Sequence, residues 1–213
     1  MKTLRFIFII FVFTSCCTKC DEKCEKFYNF ETKYHLLPER DSFQVNDTFW
    51  LSCEFHTNLV SDDGSIINFT NQDLLTVMFL GRIDTIPTIQ NFGDFEIITD
   101  IGKLEYFSIT GVSGFDVKPD KSDTTVKLNC GLVPKTRGLY KITISSDYNI
   151  DNEFGPEIET IADCDEYIDN FAISLNKGSD NNFHFLQNAA SDSWKNLPQS
   201  DFINEGGYCF YVK

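Results

Sequence analysis

Residues 43–55 read FQVNDTFWLSCEF, and their pattern indicates the fold class. Apolar side chains occupy every second position through most of this stretch, and polar side chains fill the positions between them. Such alternation is typical of a β-strand with one buried face, whereas a helix repeats its apolar residues every three or four positions. Asp47 interrupts the apolar face, so we expect a turn or bulge there that divides the stretch into two short strands.

The same period of two recurs along the chain. It predicts further strands at residues 75–83, 95–101, 104–117, 126–132 and 140–144. Gly102-Lys103 is predicted to be the turn of a hairpin, and segments rich in Asp, Ser, Pro and Gly separate the other strands. Many short strands with this punctuation favour a mainly β, antiparallel sandwich or barrel.

Residues 137–142 read RGLYKI and favour the sandwich. They resemble the start of a late strand in immunoglobulin-like domains, where the tyrosine hydroxyl bonds back to the preceding turn. Ile142 stands where a true immunoglobulin domain has its second cysteine. We therefore expect an antiparallel immunoglobulin-like β-sandwich and not an immunoglobulin domain proper.

The last third of the chain is less regular. Residues 157–171 and 182–190 show apolar spacing that is partly helical, and residues 206–212 read as a final strand that docks into the sheet. The predicted folded domain is therefore residues 34–213, with a C-terminal extension from about residue 150.

The N-terminus has the layout of an export signal. Lys2 and Arg5 precede an apolar run at residues 6–13, which is too short to span a bilayer but suits the core of a signal peptide. Thr14-Ser15-Cys16 resembles the lipoprotein box of bacteria, whose signal is cut before a cysteine that then takes acyl chains.

That resemblance implies a signal peptide at residues 1–15, a lipid on Cys16 and a charged, cysteine-rich tether at residues 16–33. The alternative is an ordinary secretory signal. Residues 19–22 (KCDE) resemble the lysine-plus-acidic signal that directs lipoproteins of Bacteroidota to the cell surface.

The sequence contains eight cysteines, so seven remain if Cys16 carries lipid. Export implies an oxidising compartment, and among the pairings that the sequence permits we predict Cys53 with Cys130 and Cys164 with Cys209. The cysteines at 17, 20 and 24 lack the second half of a zinc site, so a local disulfide is favoured over a metal.

No motif for catalysis or cofactor binding is present. The three histidines, His35, His56 and His184, lie in no ligand spacing and are predicted to be exposed. The acidic run at residues 163–169 lacks the layout of a calcium loop. We therefore predict no enzyme activity, no cofactor and no metal site.

The charge balance argues against nucleic acid as a partner. Thirty-two acidic residues outnumber eighteen basic ones, which gives a formal net charge of -14. A phosphate backbone would be repelled by such a surface.

Four aromatic residues are candidates for a platform that stacks against sugars: Trp50, Trp194, Tyr208 and Tyr211. Aromatic residues in alternating strands more often pack in the core or across strands. Trp50 is set apart, because the alternation places it on the face opposite Phe49.

Two short motifs resemble the acceptor for O-glycosylation in exported proteins of Bacteroidota. They are Asp84-Thr85-Ile86 and Asp123-Thr124-Thr125, which make Thr85 and Thr124 candidate glycosylation sites.

Several features together resemble uncharacterised outer-membrane and surface lipoproteins of Bacteroidota. Besides the signal, they are the PERD stretch at 38–41, the strand from Phe43 to Leu51, Gly138-x-Tyr140 and the closing strand at 207–212. The resemblance implies a location in the cell envelope at the outer membrane. Residues 19–22 favour exposure at the surface, and the alternative is that this charged stretch is only a hydrophilic tether. The resemblance supplies no catalytic residue.

These observations predict a lipid-anchored, exported, non-catalytic protein that acts as a binding or accessory module. Its expected partners are the membrane, through the lipid, and a glycan or an envelope protein. The alternatives are a structural subunit of an envelope complex and a secreted hydrolase without a recognisable motif.

Overall fold

A computed structural model describes residues 25–70, 76–86, 92–109, 112–146 and 165–213. The predicted signal peptide, the lipid site at Cys16 and the first part of the tether lie outside these residues, as does Cys164. Among the helices that the structure describes, none is both long and apolar enough to cross a membrane.

The described residues are mainly β, as predicted. The strands are β1 (Glu25–Leu37), β2 (Ser42–Phe43), β3 (Phe49–His56), β4 (Asn58–Val60), β5 (Ile66–Asn68), β6 (Thr76–Arg82), β7 (Phe95–Ile101), β8 (Lys103–Ile109), β9 (Val112–Lys118), β10 (Asp120–Lys121), β11 (Thr125–Pro134), β12 (Gly138–Ser146), β13 (Asp165–Leu175) and β14 (Tyr208–Val212). The helices among the described residues are short: two 3-10 helices at Phe92–Asp94 and Phe183–Asn188, α1 (Asp192–Lys195) and α2 (Gln199–Asn204).

Twelve of the strands form two six-stranded sheets. In the first sheet the order is β13-β1-β3-β11, and β10 and β7 both pair with β11. In the second the order is β2-β14-β12-β6-β9-β8, while β4 and β5 form a separate hairpin. The pairs β1–β13 and β2–β14 are parallel, so the expectation of a purely antiparallel sandwich is wrong and both sheets are mixed.

The two sheets share one core, in which aromatic rings from both sheets meet. Phe49 of the first sheet lies 5.1 Å from Phe210 of the second, between ring centroids. Phe95 of the first sheet lies 5.0 Å from Tyr140 of the second. All four side chains are buried, so the inner faces of the sheets pack on each other as two layers of a sandwich-like fold.

The turn predicted at Asp47 is present and separates β2 from β3. Asn46 has a φ of 71°, a left-handed conformation that asparagine tolerates better than most residues. The Gln44 amide donates to Asp47 Oδ2 at 2.8 Å, and the Asp47 amide donates to the Gln44 carbonyl at 3.0 Å. The turn therefore divides the alternating stretch as the sequence indicated.

Gly102 does not form the predicted hairpin turn. β7 pairs with β11 in the first sheet, whereas β8 pairs with β9 in the second. Gly102 has a φ of 71°, and a Cβ atom there would come within 2.7 Å of the Lys118 carbonyl oxygen. The glycine thus carries the chain from one sheet to the other, and the stretch predicted as one strand at 104–117 is the hairpin β8–β9.

The predicted tether ends earlier than residue 33, because β1 begins at Glu25. Tyr28, Phe30, Tyr34 and Leu36 are buried at alternate positions, with charged residues exposed among them. β1 runs parallel to β13 from Glu25↔Asp165 to Tyr34↔Leu175. The charged outer positions gave this strand the composition of a linker, although its inner positions are apolar.

The C-terminal part of the chain contains a strand where a partial helix was predicted, followed by the short helix and the final strand that were predicted. Residues 165–171 belong to β13, so the predicted partial helix is wrong there, and residues 157–164 lie outside the described ranges. The expected short helix at 182–190 is the 3-10 helix Phe183–Asn188. The predicted final strand is β14, which pairs with β12 and β2.

The tyrosine motif predicted at the start of β12 is also present. Tyr140 Oη donates to the Thr136 carbonyl at 3.2 Å. Thr136 is held in turn by a 2.6 Å hydrogen bond from its hydroxyl to Asp94 Oδ1. The Tyr140 hydroxyl therefore fixes the turn between β11 and β12, as in the tyrosine corner of sandwich domains.

Replacing this tyrosine tests the turn. We expect Tyr140→Phe to lower the free energy of unfolding by about 1–2 kcal/mol, because the Thr136 carbonyl loses a partner in a partly buried site. Tyr211→Phe is the matched control, since it removes a hydroxyl from β14 without breaking a hydrogen bond among the described residues, and it should change stability by less than about 0.5 kcal/mol. Equal effects of the two variants in urea unfolding would contradict the role given to Tyr140.

Candidate functional site

The outer face of the first sheet carries the candidate site. Phe49 and Leu51 of β3 are buried against the second sheet, and successive side chains of a strand point to opposite faces. Trp50 and Ser52 therefore point away from the core, and both are half-buried. The outward position of Trp50 relative to Phe49 confirms the prediction made from the alternation.

A row of apolar residues crosses four strands at the level of Trp50. Leu37 of β1 faces Trp50, Trp50 faces Gly131 of β11, and Gly131 faces Ile98 of β7. Leu37 is 46% exposed and Ile98 is 38% exposed. We call Leu37, Trp50, Gly131 and Ile98 the apolar row.

Gly131 lets the side chains on both sides of it close over β11. A Cβ atom at this position would lie 3.1 Å from Thr48 Cγ2, 3.2 Å from Ile98 Cβ and 3.4 Å from Trp50 Cη2. A side chain at 131 would therefore press on Thr48 and Ile98 and touch the far edge of the indole ring. Aromatic side chains that cover a glycine in the neighbouring strand are a known way to stabilise a sheet.

A row of polar residues lies beside the apolar row on the same face. His35 of β1 faces Ser52 of β3, and Ser52 faces Asn129 of β11. Asn129 Nδ2 donates to Asp100 Oδ2 of β7 at 2.8 Å. We call His35, Ser52, Asn129 and Asp100 the polar row; it offers an imidazole, a hydroxyl, an amide and a carboxylate.

The chemistry of the two rows suits binding. An aromatic ring and two aliphatic side chains can contact an apolar surface, and the neighbouring polar groups can donate and accept hydrogen bonds. Within the described residues, no group of three His, Cys, Asp or Glu side chains is placed to hold a metal ion.

The second sheet, in contrast, is covered on its outer side over β12 and β14. The second 3-10 helix, α1 and α2 pack there with a separate apolar cluster that includes Leu139, Leu186, Phe202 and Cys209. Lys141 lies beneath them, with its Nζ 4.1 Å from the centre of the Trp194 ring and 3.2 Å from Glu205 Oε2. Burial lowers the pKa of Lys141, and Glu205 opposes that shift.

The four aromatic residues considered for a stacking platform do not come together. Trp194 covers Lys141, and Tyr211 packs against Phe185 with ring centroids 4.9 Å apart. Tyr208 is buried, and its hydroxyl donates to the Arg40 carbonyl and accepts from the Arg40 amide, each at 2.9 Å. Only Trp50 takes part in the outer face of the first sheet.

The three histidines are exposed, as predicted. His35 belongs to the polar row. His56 Nδ1 lies 3.3 Å from the Thr124 carbonyl oxygen, and the His184 ring packs on Phe185 at 4.2 Å. They lie on different parts of the molecule.

The disulfide predicted between Cys53 and Cys130 is not formed in this structure. Both are buried free thiols on the adjacent strands β3 and β11. Cys53 faces Leu128, whereas Cys130 faces Leu51, so the two cysteines are offset diagonally by two residues. A diagonal pair in an antiparallel sheet has Cα atoms about 7–8 Å apart, which is too far for a disulfide without backbone movement.

Cys209 is a buried free thiol as well, on the covered side of the second sheet. Its predicted partner, Cys164, lies outside the described residues. Burial raises the pKa of Cys53 and Cys209 to about 12 and that of Cys130 to about 11.

The two candidate glycosylation sites differ in exposure. Thr124 is exposed in the turn that precedes β11, and Thr85 is half-buried just after β6. Glycosylation at either residue stays a prediction.

A cleft that the sequence did not indicate lies between the end of β13, the loop after it and α2. Its volume is about 460 Å³. Lys177 and Glu31 form an ion pair in its lining, and the lysine lowers the pKa of Glu31. The lining includes no aromatic side chain, so the outer face of the first sheet is the better candidate for a binding site.

Comparison with known proteins identifies no family for this chain. No family model and no curated protein matches the chain. Among solved structures, the human F-spondin reeler domain is similar at 10% identity over 73% of this chain and 94% of that chain, with a TM-score of 0.33. The Reelin-N domain of F-spondin matches at 10% identity over 70% and 86%, with a TM-score of 0.29. These TM-scores are too low to support a functional argument.

The thiol assignment can be tested by alkylation followed by peptide mapping. We expect Cys53, Cys130 and Cys209 to react slowly with iodoacetamide at pH 8 in the folded protein, because burial blocks access and a raised pKa leaves little thiolate. All three should be labelled after unfolding in urea without any reductant. A Cys53–Cys130 peptide pair that is labelled only after reduction would contradict the assignment.

Proposed function

We propose that this protein is an exported, non-catalytic binding module of the cell envelope that contacts its partner through the outer face of the first sheet. The observation that carries the proposal is the outward position of Trp50 between the exposed side chains of Leu37 and Ile98. We propose further that the fold is a variant of the immunoglobulin-like sandwich, which the tyrosine corner at Tyr140 supports.

The proposed location rests on the N-terminal sequence. The apolar run and the Thr14-Ser15-Cys16 motif support a signal peptide of residues 1–15 and a lipid on Cys16. Because β1 starts at Glu25, the chain between the lipid and the first strand spans at most roughly 30 Å. The domain would therefore stay close to the outer membrane, where a partner in the envelope is within reach.

The contrast between the two outer faces supports binding at the first sheet. Helices cover β12 and β14 on the second sheet and bury Lys141 there. Over β1, β3, β11 and β7, no described helix packs on Trp50. An aromatic side chain that is half-exposed between two exposed aliphatic ones can serve as the anchor of a recognition surface.

Substitution of Trp50 tests this surface. The full-length protein, extracted from membranes in detergent, is immobilised on a sensor and exposed to a solubilised envelope fraction of the producing cells, with proteins and polysaccharides together. We expect binding that Trp50→Ala weakens by about tenfold or more, as the loss of an aromatic anchor does.

Tyr106→Ala is the matched control, because Tyr106 is an exposed aromatic residue of the second sheet. It should bind as the wild type does. Absence of binding by the wild type, or equal losses in the two variants, would contradict the proposal.

The Cys16→Ala variant tests the anchor in the same preparation. We expect the intact mass of the wild type to exceed that of residues 16–213 by its acyl chains, and Cys16→Ala to carry no acyl chain. A wild-type mass without acyl chains would contradict lipidation at Cys16.

A further inference from the structure

We propose that the partner of the outer face is a neutral carbohydrate chain that lies along the apolar and polar rows. This inference rests on the proposed function and names the class of partner for the same surface. Three properties of the rows carry it: their shape, their mixture of groups and the charges beside them.

The shape fits an extended chain. The apolar row crosses from β1 to β7, and neighbouring strands lie about 4.8 Å apart, so the row is about 14 Å long. On one side it is bounded by the polar row, which begins two residues away on the same strands, and on the other side the next residue of β11 on this face, Val133, is buried. A stable protein interface needs about 800 Å² from each partner around an apolar centre, and a single row with three apolar side chains is narrow for that.

The mixture of groups fits sugar rings. A pyranose presents C–H groups on its face and hydroxyl groups around its rim, so it needs an apolar contact and hydrogen-bonding groups at the same time. Trp50 supplies the flat apolar contact. Ser52 and Asn129 lie one step away on the same face, about 7 Å along their strands, where they can reach hydroxyl groups.

The charges beside the rows favour a neutral chain over an anionic one. Asp100 contributes a carboxylate that accepts a hydrogen bond from Asn129, and the protein as a whole has a formal net charge of -14. Three lysines flank the rows: Lys33, two residues before His35 on the same face of β1, and Lys127 and Lys135, each of which is paired with a carboxylate. Lys127 Nζ lies 2.7 Å from Glu54, and Lys135 Nζ lies 2.6 Å from Glu96.

A carboxylate–amide pair beside an aromatic ring is therefore complementary to the hydroxyl groups of an uncharged sugar, and phosphate, sulfate or uronate groups would meet repulsion. Because the contact is made by hydrogen bonds and an apolar face, its affinity should depend little on salt.

Chemical treatment of the envelope fraction distinguishes a carbohydrate from a protein. One part is digested with a broad protease that is then inactivated, and another is oxidised with periodate, which cleaves the vicinal diols of sugars. With the same immobilised full-length protein, we expect binding to survive the protease, to be lost after periodate, and to change by less than about twofold in 0.5 M NaCl.

Loss of binding to the protease-treated fraction, or binding that survives periodate, would overturn the carbohydrate assignment while leaving the binding surface intact. A strong loss in salt would overturn the neutral character of the chain. No binding of the untreated fraction would overturn the proposed function itself, so the two failures are distinguishable.

A substitution in the polar row provides a second test of the same proposal. Asn129→Ala should weaken binding about fivefold, because it removes an amide that the sugar and Asp100 share. Asn58→Ala removes an exposed amide from the separate hairpin β4–β5; it is the matched control and should bind as the wild type does. Unchanged binding by Asn129→Ala would overturn the role of the polar row.

Discussion

The contact between Phe49 and Phe210 across the two sheets is the constraint on which the rest of the structure depends. The rings lie 5.1 Å apart in a cluster with Phe43, Phe95 and Tyr140. Because side chains alternate along a strand, burial of Phe49 fixes the direction of every other side chain of β3. Trp50 and Ser52 must then face outward, so the same packing that holds the sheets together also presents the candidate site.

The two outer faces of the fold differ in whether helices cover them. On the second sheet, the C-terminal helices bury Lys141 under Trp194 and Phe202, and that tryptophan serves stability. On the first sheet, Trp50 lies over Gly131 with Leu37 and Ile98 beside it. The protein has only two tryptophans. Trp194 packs over Lys141 within the fold, and Trp50 lies half-exposed on the outer face, where we propose that it contacts the partner.

Alternation alone was sufficient to predict the strands with one clear apolar face, including β3, β6, β11 and β12, and the outward direction of Trp50. Alternation did not predict the features that depend on pairing between strands distant in sequence. The sequence of β1 resembles a charged linker, and its strand structure depends on pairing with β13. The sequence around Gly102 is the same whether the chain turns back in a hairpin or crosses to the other sheet. Leu37 and Ile98 join Trp50 only through the register of three strand pairs, which no single segment of sequence contains.

The affinity of a Gly131→Val variant for the envelope fraction tests the central claim most directly. Valine suits a strand, and Gly131 lies outside the left-handed region that favours glycine. The valine Cβ would press on Thr48 and Ile98, and its methyl groups would displace the edge of Trp50 that now touches this position. We expect the variant to fold, to unfold within a few degrees of the wild type and to lose binding as fully as Trp50→Ala does. Wild-type affinity in the folded variant would contradict the assignment of the apolar row as the binding surface.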